Sequence, residues 1–271
     1  MKGAGLCVFD ASKRLRERGF SPLRLQDRLV SAAARRALAI LGEQSVVALI
    51  FHMTTLTGLK EKELLSNYAE FEKALWASLG YGAEIMLKRF GEEFIRYTHG
   101  RGIEFGDVLD EVRRNAPAVF ARSILQGENA ALLYTSSGFR DRVVSAFFEP
   151  IEGGGVMAAL VDGHSSLPPS VARATYSELK GRHGRFALEG RVAEWTSAVR
   201  PEETALRLAK DNTWLLENGL SEPSHDSVGQ RKTALLCAYD LTRMDEASAA
   251  KAAELHDFVV VEGLQSIYAR G

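Results

Sequence analysis

The run Thr233-Ala234-Leu235-Leu236-Cys237-Ala238-Tyr239-Asp240-Leu241 constrains the fold more than any other stretch. It is apolar at successive positions, not at alternate ones, and it ends at a carboxylate. A strand of that kind is covered on both faces, which is the situation in parallel sheets clad by helices. A helical stretch, Glu246 to Leu255, follows it, and then a second apolar run, Phe258-Val259-Val260-Val261. Strand, helix and strand in that order make a βαβ unit with parallel strands.

Upstream of this unit the same alternation recurs. Ala130 to Tyr134 reads as a strand, and Phe139, Val143 and Phe147 repeat every four residues as a helix does. Val156 to Val161 is a second buried strand after the Gly153-Gly154-Gly155 turn. Pro168-Pro169 opens a helix from Val171 to Lys180. Phe186 to Leu188 and Val192 to Trp195 read as short strands, and Pro201 starts a long helix running to Glu217. The expectation is an α/β fold: a three-layer parallel sheet with helices on both faces, over residues 129–271.

The front of the chain has a different period. Leu25, Leu29, Ala33, Ala37 and Leu41 recur every four residues, with arginines between them, up to Gly42. Gln44 to Leu56 has so few polar positions that it predicts a helix buried on most sides. Ser66 or Asn67 caps a third helix with Phe71, Leu75 and Leu79 on one stripe, and Met86, Phe90 and Phe94 mark a fourth. These make a small helical domain over residues 25–98. Residues 1–24 are not assigned, although Leu6 to Phe9 has the look of a short strand. Residues 99–128 form a helical connector that starts anew or kinks at Pro117. It serves either as a rigid linker or as a cover for the sheet.

Composition narrows the function. At about 100–200 residues per domain, 271 residues hold roughly two domains. The net charge of -1 supplies no general basic field for nucleic acid. Lys13, Arg14, Arg16, Arg18, Arg24, Arg28, Arg35 and Arg36 still allow a local basic face, read as solvated helix surface, or, for Arg24, Arg28, Arg35 and Arg36, as a DNA contact. Two cysteines, Cys7 and Cys237, are no disulfide framework, and a reducing cytoplasm is expected. No apolar run approaches the length of a membrane span.

Motifs for chemistry are missing where they are needed. A phosphate loop requires glycines after a strand, then Lys and Ser or Thr opening a helix. Gly229-Gln230-Arg231-Lys232-Thr233 precedes a strand instead, as does Gly153-Gly154-Gly155. Leu160-Val161-Asp162 and Val260-Val261-Glu262 imitate the apolar strand and acid that hold Mg²⁺ in nucleotide hydrolases. None of the six histidines has a zinc spacing, and there is no Gly-x-Ser-x-Gly elbow. No catalytic residue, metal or cofactor is expected. Ligands of parallel sheets bind beyond the carboxyl ends of strands. That rule nominates Tyr134, Thr135, Asp162, His164 and Asp240 as ligand-binding residues.

Two resemblances add to this reading. Ala37 to Gly42, Gly58-Leu59-Lys60, Asn67 to Leu75 and Leu79 to Ala83 together resemble a small archaeal helical output domain of the Nitrosopumilus type, found in signalling proteins. Ala131 to Tyr134, Gly155 to Val161, Leu236 to Leu241 and His256 to Val261 resemble the MEDS domain, the sensory domain of DcmR-type regulators of methanogens and methylotrophs. That resemblance implies a RecA/KaiC-like core lacking a phosphate loop, which senses a small molecule within a signalling or transcription protein. The implied function is non-enzymatic signal transduction or transcription regulation with a signalling protein as partner. A nucleotide-binding or ATPase relic and a DNA-binding regulator are the alternatives.

Overall fold

The computed structural model describes residues 8–98, 112, 114–149, 155–160, 167–180, 185–199, 205–217, 233–264 and 266–271. The chain divides into two compact units. Residues 1–23 and 124–271 form an α/β unit, and residues 24–123 form a helical unit.

Among the described residues, the α/β unit is built on a mixed sheet of eight strands in the order β1-β8-β7-β2-β6-β5-β3-β4. Its strands are β1 (Phe20–Pro22), β2 (Asn129–Tyr134), β3 (Val156–Leu160), β4 (Ala172–Ala174), β5 (Leu206–Asp211), β6 (Thr233–Asp240), β7 (Phe258–Val261) and β8 (Ile267–Arg270). Neighbours from β7 through β4 run parallel, whereas β8 is antiparallel to both β7 and β1. The apolar run that opens the sequence argument is β6, wedged between β2 and β5. Seven of its eight residues are buried, which accounts for its unbroken apolar pattern.

Helices clad both faces. From β2 the chain moves across β6 and β5 to reach β3, whereas from β6 it moves the opposite way, across β2, to reach β7. Right-handed crossovers in opposite directions put their helices on opposite faces. On one face, Ala131, Leu133, Leu235, Cys237, Tyr239, Val259 and Val261 form a core with helix α1 (Val8–Glu17) and helix α12 (Glu246–Glu254). Ala11 and Leu15 come from α1, and Ala252 and Ala253 from α12. Helix α8 (Ser137–Phe147) covers the other face. The Arg207 guanidinium of β5 lies 4.7 Å from the centre of the Phe147 ring and donates to the Phe147 carbonyl.

The helical unit contains α2 (Leu25–Ala39), α3 (Glu43–Thr57), α4 (Glu61–Ser66), α5 (Tyr68–Leu79), α6 (Ala83–Thr98) and α7 (Ala116–Arg122). Small residues on α2, among them Ala33 and Ala37, are fully buried and let α6 approach closely. Asn67 caps α5 by accepting from the Glu70 N–H at 3.4 Å. Pro117 lies in the first turn of α7, where its missing N–H costs nothing. Gly58 closes α3 at φ 70°, donating to Thr54 O at 2.9 Å.

Several expectations are corrected. The helix expected from Pro201 to Glu217 is strand β5 followed by the short helix α11 (Thr213–Glu217). Val192 and Trp195 belong to helix α10 (Arg185–Val199), not to a strand, and the spacing Val192, Trp195, Val199 is helical. The segment from Val171 splits into β4 and helix α9 (Tyr176–Lys180). A capping box at Thr175 marks the boundary: Thr175 Oγ1 accepts from Glu178 N at 3.0 Å, and Glu178 Oε2 accepts from Thr175 N at 2.8 Å. Val8 and Phe9, read as part of a short strand, begin α1. Helix α3, expected to be buried on most sides, buries only Ile50 and Met53 of its 15 residues. Of the helical connector expected over residues 99–128, residues 99–111 and 113 lie outside the described residues.

Candidate functional site

The parallel strands deliver their last residues to one edge of the sheet. In register, Tyr134 of β2 lies beside Asp240 of β6, and Ala238 of β6 lies beside Asp211 of β5. Tyr134, Asp240 and Asp211 therefore meet at the carboxyl end of three adjacent strands. Asp162 and His164 lie outside the described residues.

Tyr134 and Asp211 face α8. The Tyr134 hydroxyl donates to Asp211 Oδ2 at 3.4 Å, and Arg140, one turn into α8, reaches the same oxygen at 3.5 Å. Asp211 Oδ1 accepts from the Thr213 N–H at 3.2 Å. Arg140 also lies 5.6 Å above the Tyr134 ring and pairs with Asp141 at 2.9 Å. Burial pushes the Tyr134 phenol up to about 12, and the neighbouring Asp211 charge works in the same direction. Burial also raises the Asp211 carboxyl above its ordinary value, against the hydrogen bond from Thr213 and the charge of Arg140. Asp240 is tied into its own turn: Oδ1 accepts from Thr242 N at 2.9 Å and from Thr242 Oγ1 at 2.6 Å. Its own N–H donates to Thr213 Oγ1 at 2.8 Å.

Thr135 has a different partner. Only Thr135 and Ser136 connect β2 to α8, too short a link for a glycine-rich phosphate loop. The amides of this turn point toward the place where a parallel α/β fold holds an anion at a helix N-terminus. Here the Glu262 carboxylate, just past β7, fills that place. Its Oε2 accepts from Thr135 N at 2.5 Å, Thr135 Oγ1 at 2.8 Å and Ser136 N at 2.9 Å, and Oε1 bonds the Ser136 hydroxyl. Partial burial works against this charge, but the hydrogen bonds from Ser136 and Thr135 outweigh it and hold the carboxyl below its ordinary value.

The structure thus brings Tyr134, Thr135 and Asp240 to one edge and engages each internally. Sequence reasoning did not nominate Asp211, Arg140 or Glu262 for the site. Asp211 ends the run Leu206-Arg207-Leu208-Ala209-Lys210-Asp211, which carries the same strand-plus-acid signal as Leu160-Val161-Asp162 but was read as helix. Among the described residues, no three His, Cys, Asp or Glu side chains converge as a metal site.

The opposite face of β5 carries a second polar feature. Lys210 is 1% exposed, between Leu160 of β3 and Cys237 of β6 in register, and among the described residues no group accepts a hydrogen bond from its Nζ. Nearby Tyr176, Asn212 and Tyr239 form a satisfied chain: Tyr176 OH donates to Asn212 Oδ1 at 2.8 Å and Asn212 Nδ2 to Tyr239 OH at 3.2 Å. An unmatched buried amine lowers stability, and a methionine of similar shape removes that cost. Lys210→Met is expected to stabilise the α/β unit by about 1–2 kcal/mol, a rise of several degrees in its melting transition. Calorimetry checks this, and a fall in Tm would mean that the amine is compensated in solution.

No family model, no curated protein and no solved structure matches the chain.

Proposed function

We propose that this chain is a non-enzymatic signal-transduction or transcription-regulatory protein. Its α/β unit, a RecA/KaiC-type core without a phosphate loop, senses a small molecule or a partner, and the helical unit couples that event to the response. The observation that carries this reading is Glu262. A nucleotide's phosphates need the free amides of the first strand-to-helix turn, and in this chain a carboxylate of the protein already accepts from both of them. The engagement of Tyr134, Arg140 and Asp211 with one another adds support, because it occupies the Asp211 carboxylate, which ends a central strand at this edge.

The reading of a DNA-binding regulator loses support from the arginines it depends on. Arg28 donates to Ser123 Oγ at 3.1 Å, Arg35 pairs with Glu61 at 2.7 Å, and Arg36 lies 3.9 Å from Glu93. Among the described residues no helix is long and apolar enough to cross a membrane.

Thermal unfolding with and without ATP–Mg²⁺ or ADP tests the proposal. No shift is expected from either nucleotide. A ligand at 100 times its dissociation constant adds about 2.7 kcal/mol to the folded state, so binding would be plain. A saturable shift, with ATP turnover lost in Asp211→Asn, would turn the reading into that of an ATPase.

A further inference from the structure

Helix α3 is the feature that the helical unit leaves unfinished. Helices that are apolar on most sides are normally buried on most sides. Yet Phe51 is 73% exposed, Val47 65% and Leu56 53%, and Ile40, which leads into the helix, is 56% exposed. At 100° per residue, Val47, Ala48, Phe51 and Thr55 share one stripe. Beside this stripe runs an open groove of about 1010 Å³, with Ala39, Val46, Ile50 and Phe51 on its walls and Glu43 and Lys60 among its charged residues.

We propose that this surface is a homodimer interface, in which α3 packs antiparallel against α3 of a second copy about a two-fold axis near Phe51. Charge selects this occupant. Glu43 begins α3, and Lys60 lies just beyond its end. In an antiparallel pair, residues equidistant from Phe51 on opposite sides meet. Val47 then faces Thr55 of the second copy, and Glu43 faces Leu59 and its neighbour Lys60, once at each end. A parallel pair would set Glu43 against Glu43. The antiparallel arrangement also places each helix's positive N-terminus beside the other's negative C-terminus. Because the two contacts are identical, one patch bearing both charges completes itself, as a two-fold interface requires.

Ile40, Val47 and Phe51 together present on the order of 300 Å² of apolar surface, judged from the 150–250 Å² of an aromatic side chain. That is under half of the roughly 800 Å² each partner gives to a standard interface, which places this pair among the small interfaces. The groove has room for the Phe51 ring of the second copy. This inference is independent of what the α/β unit binds.

Sedimentation equilibrium of the full chain tests it. The expected mass is twice that of one chain at micromolar concentration. Phe51→Glu alters a side chain that is mostly exposed, so the fold survives, which the circular dichroism spectrum verifies. It is expected to weaken association at least about a hundredfold, the scale of a central interface residue. Glu43→Lys is expected to weaken it about tenfold, and Glu43→Lys with Lys60→Glu in the same chain to restore it. A wild-type chain that stays monomeric at about 100 µM, a concentration at which even weak specific dimers form, overturns the proposal. So does a dimer indifferent to Phe51→Glu, or a charge swap that fails to restore what Glu43→Lys removed.

Discussion

Lowering the pH from 6.5 towards 4 is expected to remove on the order of 3 kcal/mol of stability from the α/β unit through His256. The ring is 1% exposed, Nδ1 lies 2.8 Å from the Ala252 carbonyl, and its neighbour Tyr239 meets it edge-on at 5.8 Å between centres. The carbonyl only accepts, so Nδ1 carries the proton of a neutral imidazole. Burial pushes the His256 pKa from 6.5 down to about 4, against the hydrogen bond to Ala252 and with help from the charges of Lys210 and Arg270. Between these two values the unfolded chain binds a proton that the folded chain refuses. Stability therefore falls as pH falls through the window, and the loss is complete below the folded value. Glu262, whose carboxyl is lowered, destabilises in the same sense but only below the carboxylate range. Asp211 and Asp257, both raised, act oppositely from about 3.8 upward. Over the interval from pH 6.5 to about 5 the difference between wild type and His256→Gln isolates the histidine, because both proteins share the carboxylates. Urea midpoints measured across it are expected to fall for the wild type relative to His256→Gln. A level difference would mean that the ring accepts a proton in place.

Glu93→Ala is expected to cost the helical unit about 3–5 kcal/mol, the penalty for removing one partner from a buried ion network. Glu93 is 2% exposed on α6 and is surrounded by three guanidinium groups. Arg96 reaches its two oxygens at 3.1 and 3.3 Å, Arg89 approaches at 3.5 Å, and Arg36 of α2 at 3.9 Å. Without the carboxylate, three positive charges share a partly desolvated space. Arg36 also packs 5.9 Å over the Tyr97 ring, so the network is part of the seam between α2 and α6. The loss is read as the shift of the urea midpoint of helical circular dichroism. A cost below about 1 kcal/mol would place these side chains with ordinary surface ion pairs.

The sequence was legible where burial and pattern agree. Strand β6 is covered on both faces, so every position reports the core, and the Asp245 side chain caps the helix that follows by accepting from Ser248 N at 2.7 Å. Strand β5 is equally central but carries Arg207, Lys210 and Asp211 among its six residues. Each charge is handled differently: Arg207 donates to the Ile124 carbonyl at 2.6 Å, Asp211 meets Tyr134 and Arg140, and Lys210 finds no hydrogen-bond acceptor among the described residues. No periodicity argument predicts that, and the strand reads as helix. Strands β1 and β8 are only three and four residues long and find each other across nearly the whole chain. For the site, the rule about strand ends placed Tyr134 and Asp240 at the edge. Glu262 was visible as a strand-end acid, but its attachment to Thr135 and Ser136 depends on β7 lying beside β2, which is a matter of topology. Helix α3 failed in an instructive way: its composition states that it should be covered and cannot state by what.

The pairing of β1 with β8 sets a timetable for the growing polypeptide. Phe20, Ser21 and Pro22 leave the ribosome long before the residues they pair with, Tyr268, Ala269 and Arg270. At about 5–20 residues per second, the first strand waits roughly ten to fifty seconds for its partner. Residues 24–123 emerge meanwhile and can finish folding as a separate body. During that interval Pro22, which has no N–H to offer a foreign strand, protects the waiting edge from mispairing.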